Sequence, residues 1–149
     1  MSFSDDIKKF AEKTGNTINE VVVSVILDIN EKVIKKTPVD TGWARGGWVA
    51  SLGSPNRSAG IKDKSGQSAI SKNAVVALSA PGKVYYLSNN VEYIGVLEYG
   101  GFPNPAKQGT GKTAGGFSLQ SPRGMVRMTM MEVKKELSRQ VRRKLGYVR

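Results

Sequence analysis

The chain has 149 residues, of which 39% are hydrophobic and 23% are charged, proportions that are typical of a single globular domain. It contains neither cysteine nor histidine. This composition excludes a disulfide scaffold and thiolate metal sites, and it removes the commonest general base and transition-metal ligand. Because most hydrolase mechanisms then lack one of their catalytic residues, we expect a protein that is not an enzyme and that holds no cofactor.

The net charge of +11 is unevenly distributed along the chain. Residues 1–40 hold six Lys/Arg against seven Asp/Glu, whereas residues 122–149 hold nine against two. A basic C-terminal part predicts a neighbour that is a polyanion or an acidic protein face. No signal peptide is recognisable, and no apolar run approaches the roughly 20 residues of a membrane span. We therefore expect a soluble intracellular protein with no membrane partner.

The first predicted element is helical and covers residues 5–36, where apolar side chains recur at steps of three and four. Thr17 and Glu20 form a capping box inside this stretch, which predicts two helical pieces or one kinked helix. Pro38 ends the element, because the residue before a proline avoids helical backbone.

The middle of the chain predicts a small antiparallel sheet with long loops. Its strands are expected at residues 42–51, 74–78 and 83–87. Gly46 and Gly47 indicate a bulge or a close backbone approach within the first strand. Residues 93–99 fit either a strand or a short helical turn. Two long loops are predicted, at residues 52–72 and from 101 to about 120.

A basic helix closes the chain. Ser121 as N-cap and Pro122 at the first helical position predict its start, as Asp5 or Ser4 does for the first helix. Its apolar seam is predicted to comprise Val126, Met130, Val133, Leu137 and Val141. The sequence therefore predicts one α+β domain over residues 1–149, with a long N-terminal helix and a basic C-terminal helix packed on the sheet.

Residues 106–113 match a loose form of the phosphate-binding loop, with Lys112 and Thr113 in the positions that contact phosphate and magnesium. That loop needs a buried strand before it and a helix after it, so that helix amides face the anion. Prolines precede this segment and glycines follow it. We therefore interpret it as a glycine–lysine loop, with a phosphate-handling enzyme as the third functional hypothesis.

Two further constellations have structural as well as functional interpretations. Asp40, Glu92 and Glu98 would have to be gathered by the fold to hold magnesium, and capping or turn roles are the simpler prediction. Several aromatic residues interleaved with basic ones fit a single-stranded nucleic-acid surface, although aromatics at strand spacing more often form a core or a subunit interface. The aromatic residues are Trp43, Trp48, Tyr85, Tyr86, Tyr93 and Tyr99.

Two motifs carry a resemblance to a known family. The segment Thr-Pro-Val-Asp-Thr-Gly-Trp-Ala-Arg-Gly-Gly-Trp at residues 37–48 follows the N-terminal helix, and Tyr-Ile-Gly-Val-Leu-Glu-Tyr-Gly at residues 93–100 follows some 45 residues later. This combination resembles the tail-completion or neck proteins of tailed bacteriophages. Ala44 departs from the larger apolar residue usual at its position, and Gly46-Gly47 loosens the segment after the turn.

The resemblance implies an α+β domain without catalysis, located in the virion at the tail top and in the host cytoplasm during assembly. It implies a ring of identical subunits, expected to be hexameric, that contacts tail-tube and head-connector proteins and surrounds passing double-stranded DNA. A small basic nucleic-acid-binding protein is the alternative. The residues expected to build the motifs or subunit contacts are Thr37, Pro38, Asp40, Thr41, Gly42, Trp43, Arg45, Trp48, Tyr93, Glu98, Tyr99 and Gly100.

The basic residues are divided between two expected partners. The 52–72 loop is expected to project from the sheet and to approach DNA without sequence preference, through Arg57, Lys62 and Lys64. The C-terminal helix is tied to the protein body by its apolar seam, so its basic residues are expected to contact other neck proteins. These are Arg139, Arg142 and Arg143.

Overall fold

A computed structural model describes residues 2–100, 113–114, 117–118 and 120–144 of the protein. In chain order, the helices are α1 (Phe3–Thr14), α2 (Ile18–Lys36), α3 (Trp43–Gly46), α4 (Gln67–Ala77), α5 (Ile94–Tyr99) and α6 (Val126–Lys144). The strands are β1 (Trp48–Leu52), β2 (Tyr85–Asn89), β3 (Thr113–Ala114) and β4 (Phe117–Ser118). Helices thus pack on a small antiparallel sheet, which confirms the predicted α+β class.

The N-terminal helical stretch forms two pieces, as the capping box predicts. Gly15 ends α1 with a φ of 75°, and Thr17 and Glu20 exchange hydrogen bonds of 3.1 Å between side chain and backbone at the start of α2. The predicted first cap was wrong by two or three residues, because Ser2 accepts the bond from the Asp5 amide at 3.2 Å. At the other end, α2 stops at an extended residue that precedes Pro38.

The main sheet has two antiparallel strands, in which Trp48 of β1 lies opposite Asn89 of β2 and Leu52 opposite Tyr85. The second pair, β3 with β4, is two residues long on each side. Of the three predicted strands, the first is right only in its second half, the second is wrong and the third is confirmed by β2. Residues 43–46 form the single turn α3, because Gly42 takes a left-handed conformation that turns the chain before β1 begins. The strand predicted at residues 74–78 belongs mostly to α4.

Helix α4 covers residues that the composition assigned to a loop and a strand. Its buried side chains Ala69, Asn73 and Ala77 recur every fourth residue, so they lie along one side of the helix. That side packs against α2 and β1. Small residues at this spacing allow helix and strand to approach closely, and this packing outweighs the β preference of the valines.

The core lies where α2, α3, α4, β1, α5 and the start of α6 meet. Its buried members are Val33, Ile34, Ala44, Trp48, Ala69, Leu97 and Met125. Helix α2 contacts α1, α4 and α6, which explains why it is apolar around much of its circumference.

Helix α6 departs from its predicted start and seam. It begins at Val126 and not at Pro122, and Met130 is 39% exposed. Val133 and Leu137 of the predicted seam are buried, whereas Thr129 and, just before the helix, Met125 continue the buried line in place of Met130. The side chain of Val141 lies outside the described residues. Within residues 2–100 and 120–144, no helix combines the length and apolar character that crossing a membrane requires.

Candidate functional site

The first motif forms a corner between α2, α3 and β1, and Thr37 is its buried centre. The Thr37 side chain is fully buried; its hydroxyl donates to the Val33 carbonyl at 2.7 Å and accepts from the Trp48 indole at 2.8 Å. One side chain therefore closes the last turn of α2 and ties it to the first residue of β1. Because Trp48 is large, buried and satisfied at its only polar atom, this bond fixes the direction in which the sheet leaves the corner.

Arg45 binds three backbone carbonyls around the same corner. Its guanidinium donates to Lys35 O at 3.1 Å, Thr37 O at 3.0 Å and Lys64 O at 3.1 Å. Two of these carbonyls belong to the end of α2, where helical carbonyls lack intrahelical partners and favour a positive charge. Partial burial lowers the pKa of Arg45, against an opposing effect of the Asp63 charge.

Glycines let the segment at residues 60–64 lie directly on the corner. Gly42 has a φ of 87°, and a Cβ there would lie 2.6 Å from the Lys64 amide nitrogen. At Gly46, a Cβ would overlap the carbonyl oxygen of Ile61. The two segments are joined by backbone hydrogen bonds, from Asp63 N to Gly42 O at 3.0 Å and from Ile61 N to Gly46 O at 3.2 Å. The expected close approach is confirmed, but it joins Gly46 to a loop and not to a strand.

This contact corrects the prediction that the whole 52–72 loop projects from the sheet. Its second half is fixed at both ends, because Asp63 also accepts from the Ser68 amide at 2.8 Å in the first turn of α4. The hydroxyl and amide of Ser65 bind the same carboxylate, and these bonds together lower the pKa of Asp63. The loop therefore starts α4 and braces the corner.

The remaining residues of the first motif are more exposed. Thr41 accepts from the Trp43 amide at 3.3 Å and so begins the short turn α3. The ammonium of Lys62 lies 5.8 Å from the centre of the Trp43 ring, within cation–π range. Burial and the nearby charge of Asp40 both raise the pKa of Tyr93. The first motif therefore lies close to the first residue of the second motif.

Glu98 of the second motif caps α6 from a distant part of the chain. Its buried carboxylate accepts from the backbone amides of Met125, Val126 and Arg127, at 2.7, 2.9 and 3.0 Å. The Arg127 side chain adds a bond of 3.0 Å. Burial opposes ionisation of this carboxyl, but the amide and guanidinium bonds outweigh it and hold the pKa of Glu98 below its ordinary value. Glu98 thus takes the capping role that Ser121 and Pro122 were expected to play.

The surroundings of Glu98 are shaped to bring α5 and α6 together. Gly124 has a φ of 91°, and a Cβ there would lie 2.5 Å from the Glu98 carbonyl oxygen. Arg127 also donates to that carbonyl oxygen, and its guanidinium carbon lies 5.0 Å from the Tyr99 ring centre. Tyr99 is 71% exposed, and Gly100 follows with a φ of 83°. Of the two alternatives predicted for residues 93–99, the structure has the short helix, and the motif ends it.

Asn30 and Asn73 form a buried polar link that sequence reasoning missed. Asn73 donates to Asn30 Oδ1 and to Trp48 O, both at 3.1 Å, and accepts from the Ala50 amide at 2.9 Å. Asn30 donates to Ile70 O at 3.2 Å. The pair joins α2, α4 and the outer edge of β1. Asn30 lies close to charged residues in the sequence, between Asp28 and Glu31, and no local pattern marks it as buried.

The residues predicted to meet partners are spread over the surface. Arg57, Lys62 and Lys64 are exposed on the 53–66 segment. Arg139 is exposed on α6 and paired with Glu136 at 2.5 Å, while the side chains of Arg142 and Arg143 lie outside the described residues. The phosphate-loop match at residues 106–113 also lies outside them, apart from Thr113 in β3.

The polar and charged side chains of the two motifs that could bind a ligand are bound instead to other groups of the protein. The hydroxyl of Thr37, the guanidinium of Arg45 and the carboxylate of Glu98 each bind groups of other elements. Within the described residues, no three acidic side chains are grouped so as to hold a metal ion. The arrangement can therefore fix the angles between elements and present rigid surfaces.

Neither family models, nor curated proteins, nor solved structures give a significant match to this chain.

Proposed function

We propose that this chain is a structural protein of a bacteriophage neck or tail top, which completes or terminates the tail and joins it to the head as an oligomeric ring around the DNA channel. The carrying observation is that both motifs resembling that family connect elements of the fold. Thr37 and Arg45 join α2 to β1 and the 60–64 segment, and Glu98 joins α5 to α6. Motif residues used in this way suit a role in assembly.

The distribution of exposed side chains also supports an assembly role. Tyr99, Met131, Val75, Leu78 and Val84 are each at least 60% exposed. Large apolar groups in such number on a 149-residue chain are suited to burial against neighbouring subunits. Hexameric rings, tail-tube and connector proteins as neighbours, and a location in the virion belong to the same proposal.

A gene deletion with add-back tests the proposal. Particles made without this chain are expected to appear in electron micrographs as filled heads and separate tails, and purified protein is expected to restore joining. Labelled protein should then be found at the junction. Normally joined particles in its absence would refute the proposal.

Nucleic-acid binding is the second candidate, and the exposed basic side of α6 favours it. Lys134 and Lys135 are both exposed on this helix. A basic stripe of this kind attracts phosphate groups without reading bases. Salt-sensitive binding to DNA, by a chain that stays monomeric and plays no part in particle assembly, would favour this candidate.

A further inference from the structure

The two outer edges of the main sheet are treated differently by the fold. On β1, Asn73 occupies the outer edge by accepting from Ala50 N and donating to Trp48 O. The backbone groups of Val49 and Ser51 therefore face β2, where their partners are Ser88 and Tyr86. Since the direction alternates along a strand, the N–H and C=O groups of Tyr85, Leu87 and Asn89 face away from β1.

This outer edge of β2 has no hydrogen-bond partner among the described residues. Natural sheets usually protect an exposed edge with a charged side chain, a proline, a bulge or a covering element. The β2 sequence Tyr-Tyr-Leu-Ser-Asn contains no charge and no proline, and its register with β1 is unbroken. An open edge with these properties is a template for another strand.

We propose that β2 of one copy pairs with β2 of a second copy in the free protein, antiparallel and with Leu87 opposite Leu87. The outward groups come from three residues centred on Leu87, so they match themselves under a two-fold rotation. Tyr85 then bonds Asn89 of the second copy, and all the outward N–H and C=O groups of the three residues are satisfied. The result is a continuous four-stranded sheet.

The charge pattern suits a second copy as the occupant. Two chains of net charge +11 repel each other in general, but β2 brings no charged side chain into the pairing. The strand contact itself therefore adds no repulsion between like charges.

A groove beside the edge provides apolar area for the same contact. It has a volume of about 390 Å³ between α2 and β2, and Val22, Ile26 and Leu87 are among its lining residues. A two-fold axis perpendicular to the sheet keeps both α2 helices on one side. The apolar side chains that line the groove of one copy then face those of the other.

The pairing extends the proposed assembly function, and it concerns the protein before assembly. A two-fold contact joins copies in opposite orientations, whereas subunits of a ring at a head–tail junction share one orientation. The β2 pair must therefore open before the protein enters such a ring. This dimer protects an edge that would otherwise recruit strands indiscriminately.

Cysteine cross-linking tests the pairing and its register, because the chain has no cysteine of its own. Tyr86 and Ser88 of opposite copies form a pair without mutual hydrogen bonds, whose Cα atoms are about 4.5 Å apart, within disulfide range. Two variants, Tyr86→Cys and Ser88→Cys, are mixed and oxidised with oxidised glutathione, which is reduced as the disulfide forms. The mixture is expected to give a covalent dimer at least about tenfold faster than either variant alone, since like positions lie about 7–8 Å apart.

Ser51→Cys supplies the matched control, because Ser51 is on the same face of the sheet as Tyr86 but on β1, one strand further from the second copy. Mixed with Tyr86→Cys, it should give no dimer above background. The wild-type chain provides a test without substitution: hydrogen exchange at the amides of Tyr85 and Leu87 should slow as protein concentration rises. The amides of Tyr86 and Ser88, bonded to β1, should be protected at every concentration.

The outcomes separate this inference from the proposed function. Rings or larger oligomers without the Tyr86–Ser88 cross-link, and with concentration-independent exchange at Leu87, would overturn the β2 pairing and leave the assembly role standing. Cross-linked dimers from a chain that is dispensable for joining heads to tails would support the pairing and refute the neck function. Equal cross-linking of each variant with itself would show that the proposed register is wrong.

Discussion

At Gly42, backbone conformation and close packing both exclude a side chain. The φ of 87° carries a cost of about 1–3 kcal/mol for other residues, and a Cβ would also press on the 63–64 backbone. Gly53 offers a matched control, because its φ is 82° and no atom lies within 4 Å of its hypothetical Cβ. The two glycines thus separate backbone strain from steric overlap.

We predict that Gly42→Ala lowers the free energy of unfolding by more than Gly53→Ala does, and that Gly42→Val prevents stable folding. Gly53→Ala should show the backbone cost alone, about 1 kcal/mol. Urea denaturation of both alanine variants measures the difference. Equal losses would mean that the 60–64 segment does not lie on the corner.

The lowered pKa of Glu98 predicts how the free energy of unfolding depends on pH. Its folded pKa is below its unfolded value, so the stability it contributes is fully present above the unfolded pKa of about 4.3 and is lost as pH falls through the folded pKa. Glu98→Gln removes the charge but keeps the shape of the side chain. At pH 7 it should cost about 2–3 kcal/mol, because a buried charged acceptor of several bonds is lost.

The difference in unfolding free energy between wild type and Glu98→Gln should shrink as pH is lowered below about 4, because protonation then removes the same charge from the wild type. Urea unfolding at a series of pH values measures it. Glu136→Gln is the control, because the pKa of Glu136 is lowered too, chiefly by Arg139, but the side chain is solvated. It should change stability little at pH 7. A constant gap for Glu98→Gln down to pH 2 would contradict the capping role.

Among the elements, helix α2 was the most predictable from sequence and α4 the least. The capping box at Thr17 and Glu20 is a local signal, and local hydrogen bonds determine where α2 starts. Helix α4 begins after Gly66, and its N-terminal amide at Ser68 is bound by Asp63, five residues earlier. Its valines suggested a strand, whereas its helical conformation depends on contacts with α2 and β1 that no local pattern contains.

The same distinction between local signals and contacts of distant residues applies to the candidate site. The corner at Gly42 was predictable because a turn glycine after Asp and Thr has a recognisable pattern. The contact of Arg45 with Lys64 and the capping of α6 by Glu98 were not, since they join residues 19 and 27 or more positions apart along the chain. Asn30 and Asn73 are 43 residues apart, so neither could be identified as the other's partner.

Asn73 connects three elements, and its removal should loosen them together. Asn73→Ala leaves Ala50 N–H, Trp48 O and Asn30 Oδ1 without the partner that Asn73 supplies. We predict a loss of about 2–4 kcal/mol in unfolding free energy, with faster hydrogen exchange at the Ala50 amide. Lys72→Ala, on the exposed side of the same helix, should lie within about 0.5 kcal/mol of wild type. If the Ala50 amide stays protected in Asn73→Ala, the polar link is not what closes this edge.

For the whole molecule, the charge separates into a loop set and a helix set. Changing Arg57, Lys62 and Lys64 to Gln should weaken DNA binding and reduce the slope of log affinity against log salt by up to about 3, if each contacts one phosphate. Changing Arg139, Arg142 and Arg143 to Gln should impair joining of tails to heads first. Filter binding at several salt concentrations and particle counts by electron microscopy provide the measurements.

The contacts that hold the loop on the corner limit how much the loop substitutions can weaken DNA binding. Lys62 lies against Trp43, and Lys64 sits on the corner, so both are held near the protein body. Arg57 is further from these contacts. If the helix variant alone loses DNA binding while joining is untouched, the assignment is reversed and the nucleic-acid-binding alternative gains support.

Glu98 caps α6 from a residue 27 positions earlier, so α6 is held by non-covalent contacts as well as by the chain that leads to it. The pair Val39 and Gln120 adds two hydrogen bonds across the same boundary, and Lys36 binds Glu132 at 2.8 Å. We expect that a chain with a protease site inserted near residue 107, once cut, behaves as a self-complementing split protein. Its two fragments should co-elute under native conditions and separate in urea, and Glu98→Gln should weaken their reassociation.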